Sequence, residues 1–459
     1  MRIFEMLFMF LLVPILVIPF IPYSWQGRWG TIGVLVLALI GGVHLLAEGW
    51  RIQMVPLYGL TLLVLVYRMT TLIGRAGMGS RRREILITGV MALFLTLSGV
   101  LAGWLLPVVR LPMPTGPYSV GIVDREIVDQ ARARRLMISI WYPAVSSGTS
   151  APLTHHPDEI ATGLGKLSGL PGLAFQHLRY FKLAASDNAS PLTEGAPFPV
   201  LVFSHGLVGL RLQNSATMQD LASWGYVVIA LDHTDAAAVT VFDDGETRFY
   251  NLERFGIPAN VEPDKTLVNR RVFPVWVADQ HFVYDTLETW NVNDPLLAGK
   301  LDLTRIGSFG HSFGGATALE VCRIDPRCDA AVNMDGGLYG TIVSQPAVRP
   351  LLLMSAAESN QYSDTIEEWR RMIERAKSEA YWLELPGSTH YSFTITQLLS
   401  PVLAPREFDP RAGLDTVHTY LRTFFDLHLR NGQTLPSEPV AREADVRWLT
   451  NARLYPFPK

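Results

Sequence analysis

The stretch IGSFGHSFGGATALE, residues 306–320, sets Ser312 between Gly310 and Gly314 at two-residue spacing and then runs into helix formers. A serine hydroxyl attacks an ester carbonyl only when a base takes its proton. That chemistry therefore also needs a histidine, an acid to orient it, and two backbone N–H groups for the oxyanion. G-x-S-x-G alone is a modest signal, and its context decides. Here RIGSFG reads as a strand and GGATALEVCRI as a helix. This is the setting of a nucleophile elbow, a sharp turn that lifts the serine Oγ above a sheet edge. Cβ atoms at 310 and 314 would crowd that turn, and Gly315 lets the helix pack close to the strands. Ser312 is the candidate nucleophile.

In this kind of site the chain order is serine, acid, histidine. Of eleven histidines only His390, His418 and His428 follow a plausible acid. His418 and His428 fall within a final amphipathic helix, whereas His390 closes WLELPGSTH, a loop just after the last strand, and is the candidate base. Three acids compete. Asp335 ends AAVNMDGG, the strand after the nucleophile helix, while Glu358 and Asp364 follow RPLLLMSAAE, the more usual place for the acid. Pattern alone leaves them open. For the oxyanion, the amide of Phe313 follows the nucleophile directly. A second donor is expected from the loop in VFSHGLVG, where Gly206 frees the backbone and Leu207 offers its N–H. His205 precedes every candidate acid and is expected to support that loop. DDG at 243–245 reads as an ordinary turn rather than an ion site.

These residues need a scaffold. RLMISIWYP, FPVLVFSHG, GYVVIALDH, RIGSFGHS, AAVNMDG, RPLLLMSAAE and AYWLELPGS are near-continuous apolar runs ending in turn residues, as in strands covered on both faces. LQNSATMQDLASW, DQHFVYDTLETWN, GGATALEVCRI, IEEWRRMIERAKSE and LDTVHTYLRTFFDLHLR lie between or after them with helical periodicity. The alternation predicts an α/β fold with a mostly parallel, doubly covered sheet. The catalytic domain is placed at 118–435, with an apolar insert at 158–189 that reads as a lid or interfacial segment, and 436–459 is a C-terminal tail. Cys322 and Cys328 bracket RIDPR closely enough to form a small disulfide.

Ahead of this domain the composition changes. Residues 1–110 hold nine arginines and three carboxylates, although the whole chain of 459 residues has a net charge of −3. Four apolar runs, 4–22, 32–47, 52–67 and 85–109, predict a four-helix transmembrane segment at 1–110, joined by a linker at 111–117. Trp25, Trp29, Trp50 and Trp104 lie near the ends of these runs, where an aromatic belt would put them. Arg68, Arg75, Arg81, Arg82 and Arg83 mark a cytoplasmic loop, which predicts a multi-pass membrane protein with an extracytoplasmic catalytic domain. Arg51 is offset in part by Glu48, and His44 inside the second run reads as a histidine bonded to a neighbouring helix. The remainder of the chain is acidic and has no basic stripe, which argues against nucleic acid as a partner.

GPYSVG (116–121), FSHGL (203–207), GHSFGGAT (310–317), NMDG (333–336) and GSTH (387–390) resemble, in order and spacing, the plasma-type platelet-activating factor acetylhydrolases. These are alpha/beta-hydrolases with relatives among bacterial lipases and polyester hydrolases. The resemblance implies Asp335 as the acid beside Ser312 and His390, Leu207 and Phe313 as oxyanion donors, and no cofactor. It further implies a carboxylic ester hydrolase acting on phospholipids with short or oxidised acyl chains, or on related lipid-like esters; the expected spans add the bilayer as a partner. The rival readings are an acyltransferase, a polyester or general carboxylesterase on the same fold, and a transporter or scaffold carrying an appended hydrolase fold.

Overall fold

The computed structural model describes residues 2–17, 28–72, 81–146, 148–406, 408–430, 432 and 447–450. Its helices are α1 (Ile3–Val17), α2 (Arg28–Ala47), α3 (Val55–Leu72), α4 (Arg81–Leu105), α5 (Pro157–Ser168), α6 (Ser215–Ser223), α7 (Lys265–Arg271), α8 (Phe273–Asn293), α9 (Phe313–Ile324), α10 (Ser363–Arg375) and α11 (Pro410–Arg430). The strands are β1 (Ser119–Asp129), β2 (Arg134–Ala144), β3 (Ala185–Asp187), β4 (Phe198–Ser204), β5 (Val227–Asp232), β6 (Val239–Val241), β7 (Thr247–Phe249), β8 (Leu301–His311), β9 (Cys328–Met334), β10 (Leu351–Ala356), β11 (Ala380–Leu385) and β12 (Arg447–Thr450).

Every strand and helix expected in the catalytic domain is present. The main sheet runs β12-β11-β10-β9-β8-β4-β5-β2-β1-β3. From β5 to β11 the pairings are all parallel, and the β2–β5, β1–β2 and β11–β12 pairings are antiparallel. β4, β5 and β10 are buried along their whole length because helices cover both faces. On one face α6 and α11 supply Met218, Leu221, Leu414, Leu421 and Phe425. On the other, α8, α9 and α10 supply Tyr284, Leu287, Leu319, Trp369 and Met372. Three strands of this sheet lie outside the sequence expectation, as do β6 and β7, which pair in a separate two-stranded sheet. β1 carries Asp124, Arg125 and Glu126 in its middle, too polar for a doubly covered strand, and β3 is very short. β12, within the expected tail, adds an edge strand to β11. The rest of the tail, 436–446 and 451–459, lies outside the described residues, as do 433–435 before it.

The expectation of a four-helix transmembrane segment is corrected. The four helices form, but among the described residues no helix is long and apolar enough to cross a membrane. α1 has 15 residues, about 22 Å of rise against a hydrocarbon core of about 30 Å. The other three carry charged or polar groups within their length: Arg28 and His44 in α2, Arg68 in α3, Arg81 to Glu84 in α4. The multi-pass localisation and the extracytoplasmic orientation lose their basis with it. Trp25 and Arg75 lie outside the described residues, as do the side chains of Trp29, Arg68, Arg81, Arg82 and Arg83.

The helical segment also buries more charge than its sequence implied. Glu5 and Arg51 are enclosed and paired to each other, so Arg51 answers Glu5 rather than Glu48. Glu48 instead accepts from the amides of Phe4 and Glu5 at 3.0 Å each and faces His44 Nδ1 at 3.0 Å. His44 Nε2 meets the Tyr58 hydroxyl at 2.8 Å, the helix-to-helix bond expected for it. This polar end rests on the insert: Gln53 donates to the Ala174 carbonyl at 3.0 Å, Tyr180 bonds the Trp50 carbonyl, and the Arg2 guanidinium lies 4.5 Å from the Tyr180 ring centre. The insert thus forms the seat of the N-terminal helices. The linker is pinned as well, since Asp220 accepts from both the amide and hydroxyl of Thr115 at 2.8 Å, and Ser223 Oγ accepts from the Gly116 amide at 2.9 Å.

Beside the catalytic edge, Asp279 on α8 is wholly buried and joins three elements. It takes two bonds from Arg134 (2.6 and 2.8 Å), one from Arg132 (2.8 Å), and faces His233 Nδ1 at 3.0 Å. Burial opposes its ionisation, but the Arg134 and His233 interactions overcome this and hold the carboxyl well below the usual carboxylate range. Removing one partner of such a set strands the others without compensation. Asp279→Ala is therefore expected to lower the unfolding free energy by about 3–5 kcal/mol in urea titration; a loss below about 1 kcal/mol would show that the network does not hold this edge together.

Candidate active site

The elbow is built by backbone crowding. Ser312 has φ 56° and ψ −124°, a strained conformation for a residue with a side chain. It is fixed there because its amide donates to the Met334 carbonyl at 2.8 Å while its own carbonyl accepts from the Gly315 amide at 2.9 Å. A Cβ on Gly310 would fall 2.2 Å from the Gly314 carbonyl carbon, and one on Gly314 would fall 2.1 Å from the Ser204 carbonyl oxygen. Both neighbours are main chain and cannot swing away, so only glycine fits. α9 starts at Phe313, and the first amide of a helix has no partner within it.

The loop after β4 passes close to the serine: a Cβ on Gly206 would lie 3.2 Å from the Ser312 Cβ. Leu207 packs against the same apolar cluster as Phe313, with Phe273, Trp276 and Tyr339. The two residues expected as oxyanion donors thus share one apolar cluster beside Ser312. His205 lies beneath the loop as expected of a support. It is buried, its Nε2 accepts from the His233 amide at 3.0 Å, and its Nδ1 meets the Gly206 carbonyl at 2.6 Å.

His390 Nδ1 lies 2.7 Å from Asp335 Oδ2. The Asp335 carboxylate has no side-chain exposure, whereas the His390 side chain is 35% exposed, so a buried anion orients an accessible ring. Asp335 Oδ1 accepts from the Ala356 amide at 2.8 Å, and the Ser359 hydroxyl reaches both carboxylate oxygens, at 2.8 and 3.0 Å. Of the competing acids, Glu358 bonds the backbone amide of His390 at 2.9 Å rather than its ring, and Asp364 is exposed at the start of α10. The loop bearing His390 is held by the capping box of Thr389 and Ser392 and by Asn214, which donates to the Phe393 carbonyl at 2.7 Å.

Sequence reasoning missed His311. Its ring lies tilted by 42° against that of His390, with centroids 4.6 Å apart, and its Nε2 lies 2.8 Å from the His390 carbonyl oxygen. Burial, then the neighbouring His390 charge, lowers its pKa well below the ordinary value. The residue stands in the variable position of the motif, which carries no signal of its own. Ser359 was likewise invisible, because a serine in a loop is too common to single out. The DDG turn is an ordinary one, with Asp244 paired to Arg135, and among the described residues no cluster suited to a metal ion occurs. Cys322 and Cys328 form a disulfide between the end of α9 and the start of β9. A cleft of about 920 Å³ lined by Phe273, Val277, His281 and Glu320 lies behind the Phe313 cluster and includes neither Ser312 nor His390.

The profile of the family described as platelet-activating factor acetylhydrolase, isoform II, matches residues 105–262 and 288–424. The chain is 26% identical to a platelet-activating factor acetylhydrolase of Canis lupus familiaris over 352 residues, 70% of this chain and 77% of that one. It is 28% identical to a probable 1-alkyl-2-acetylglycerophosphocholine esterase of Arthroderma benhamiae over 338 residues, 67% of this chain and 81% of that one. A solved ferulic acid esterase from Streptomyces cinnamoneus superposes with a TM-score of 0.59 at 27% identity, covering 74% of this chain and 99% of its own. Fold and relatives together define a serine ester hydrolase with an alpha/beta-hydrolase sheet. The chain belongs to the platelet-activating factor acetylhydrolase, isoform II, family.

Burial under the catalytic edge has a consequence for stability. Desolvation lowers the pKa of His205, of His311 and of His233, the last to about 3. Unfolded, each would titrate near 6.5. The unfolded chain therefore binds more protons below that pH, and the stability these groups supply, full above about 6.5, is lost as pH falls toward the folded values. Asp279 contributes only below about pH 4, outside this window. Unfolding free energy is expected to fall between pH 7 and 5 by up to about 1.4 kcal/mol per pH unit for each histidine, with a shallower slope in His233→Gln. A denaturation midpoint flat over that range would contradict this.

Proposed function

We propose that the protein hydrolyses carboxylic esters through an acyl-enzyme, with Ser312 as nucleophile, His390 as base and then acid, and Asp335 as the carboxylate that orients the imidazole. The observation that carries this reading is the 2.7 Å bond between His390 Nδ1 and a fully buried Asp335 carboxylate, with Ser312 held in an elbow directly after His311, whose ring centre lies 4.6 Å from that of His390. In the first step Oγ attacks the ester carbonyl while His390 Nε2 takes its proton. The amides of Leu207 and Phe313 receive the oxyanion, and His390 then returns the proton to the leaving alcohol. Water repeats the sequence on the acyl-serine and releases the acid. Asp335 keeps its charge throughout, stabilised by the Ala356 amide and the Ser359 hydroxyl.

The acyl group proposed is short. The walls near Phe313 are aromatic, with Tyr339 and Phe273 rings centred 4.8 and 5.4 Å from it. Gly337 leaves open space in front of them, since a Cβ there would touch only Tyr339 at 4.0 Å. An acetyl or similarly small or truncated chain is in line with the names of the relatives, an acetylhydrolase and a 2-acetylglycerophosphocholine esterase. The proposed substrates are phospholipids with a short or oxidised second acyl chain, or small esters like them.

A series of p-nitrophenyl esters and short-chain phospholipids tests the reading. Ser312→Ala is expected to lose turnover by roughly 10⁴-fold or more while remaining folded. Asp335→Asn is expected to lose roughly 10³- to 10⁴-fold in kcat, and Glu358→Gln no more than about tenfold. Turnover retained in Ser312→Ala would refute the mechanism, and a larger loss in Glu358→Gln than in Asp335→Asn would move the acid. Release of free acid, rather than of an acylated alcohol acceptor, separates hydrolysis from acyl transfer.

A further inference from the structure

His311 is tied to the catalytic loop on one side and to Gln213 on the other. Its Nε2 lies 2.8 Å from the carbonyl oxygen of His390, and a carbonyl can only accept, so Nε2 carries the hydrogen. In a neutral imidazole Nδ1 is then bare. Gln213 Nε2 lies 3.2 Å from it and donates. A protonated His311 would instead set an N–H against an NH₂. The main chain of Gln213 is itself seated, since its backbone carbonyl accepts from the Ile395 amide at 2.9 Å just past the loop that carries His390. The groups facing His390 are therefore Asp335 on its ring nitrogen, Glu358 on its amide, and the rings of His311 and Tyr391. Of these, His311 would repel the imidazolium of each transfer step if it took up a proton.

We propose that His311, locked by Gln213 as the neutral tautomer with hydrogen on Nε2, is a positioning residue that fixes the backbone carbonyl and the ring of His390 for proton transfer. This rests on the reading of His390 as the base. It assigns a task to the variable residue of the G-x-S-x-G motif: the side chain before the nucleophile fixes the loop that carries the base, so the two catalytic groups keep register through one residue.

Gln213 provides the test, because its substitutions separate tautomer control from packing. Gln213→Glu is nearly isosteric but accepts instead of donating. It draws a proton to Nδ1, so His311 becomes either a cation or the tautomer whose bare Nε2 faces the His390 carbonyl. Gln213→Ala deletes more contact but leaves the tautomer free. With p-nitrophenyl acetate, Gln213→Glu is expected to lower kcat at least about tenfold with KM within about twofold, and Gln213→Ala to cost about threefold or less. A purely structural role predicts the reverse order, and that order, or wild-type kcat in Gln213→Glu, would overturn the proposal. Should either variant fold poorly, ¹⁵N-histidine spectra of the unaltered protein decide the matter. His311 is expected to remain neutral with hydrogen on Nε2 from about pH 8 to 5, and titration in that range or hydrogen on Nδ1 would refute it. Ser312→Ala in the same assay keeps the two readings apart: if it is inactive while Gln213→Glu is unimpaired, the catalytic assignment stands and the role of His311 falls.

Discussion

Everything at the catalytic edge depends on how closely three pieces of main chain approach one another: the end of β8, the first turn of α9, and the end of β4. The gaps that glycine leaves at 310 and 314 are near 2 Å when measured to a Cβ that is absent. Such contact excludes water from the backbone groups involved, so each must find a protein partner. Ser312 does so by donating to Met334 and accepting from Gly315. The strained dihedrals of the serine are thus over-determined by its surroundings, which is the condition under which strain of a few kcal/mol persists. Because Met334 directly precedes Asp335, the bond that holds Ser312 also sets the start of the loop that carries Asp335.

The same economy governs the side chains below the edge. Asp279, His233 and His205 form a buried chain leading from the β1–β2 hairpin to the oxyanion loop, and His233 lies flat on Trp276 with centroids 3.7 Å apart. Two neutral histidines here serve as shaped hydrogen-bonding groups rather than as acids or bases. A charged group in their place would need a counter-ion within the core, and Asp279 is already committed to Arg134 and Arg132. Apolar packing alone could fill the volume, but it could not present a donor and an acceptor at set angles to the Gly206 carbonyl and the His233 amide. The loop of a site that must stay open to substrate gains its rigidity from below.

Much of this was legible in residue types and spacing. The parallel strands announced themselves as unbroken apolar runs, and Ser312, His390 and the loop at 205–207 followed from the chemistry that a serine nucleophile requires. The acid did not: Asp335, Glu358 and Asp364 all follow strands, only the family resemblance favoured Asp335, and in the structure that carboxylate meets the imidazole. β1 was overlooked because its polar centre, Asp124 to Glu126, breaks the apolar signal, and β12 because a four-residue edge strand has too little pattern to detect. The N-terminal helices misled in the opposite way. Long apolar runs read as spans, yet two of their charged residues, Glu5 and Arg51, answer each other across 46 positions of chain, a pairing that no local window contains. His311 was silent for a similar reason, since its partners lie 79 and 98 residues away.

The position of the acid has a further consequence. With Asp335 carried by the turn after β9, the site after β10 is freed from orienting the imidazole, yet a carboxylate remains there. Glu358 bonds the His390 amide, so the base is held by one anion at its ring and by another at its main chain. The two anions are not equivalent. Asp335 is fully buried and bonded to the Ala356 amide and Ser359, so its charge acts through a medium of low polarisability. Glu358 lies partly in solvent, where a charge of the same sign is screened and works mainly as a tether. Orientation of the ring therefore falls to the buried acid and anchoring of the loop to the exposed one. The loop needs both, because the His390 side chain stays partly exposed rather than joining the packed core.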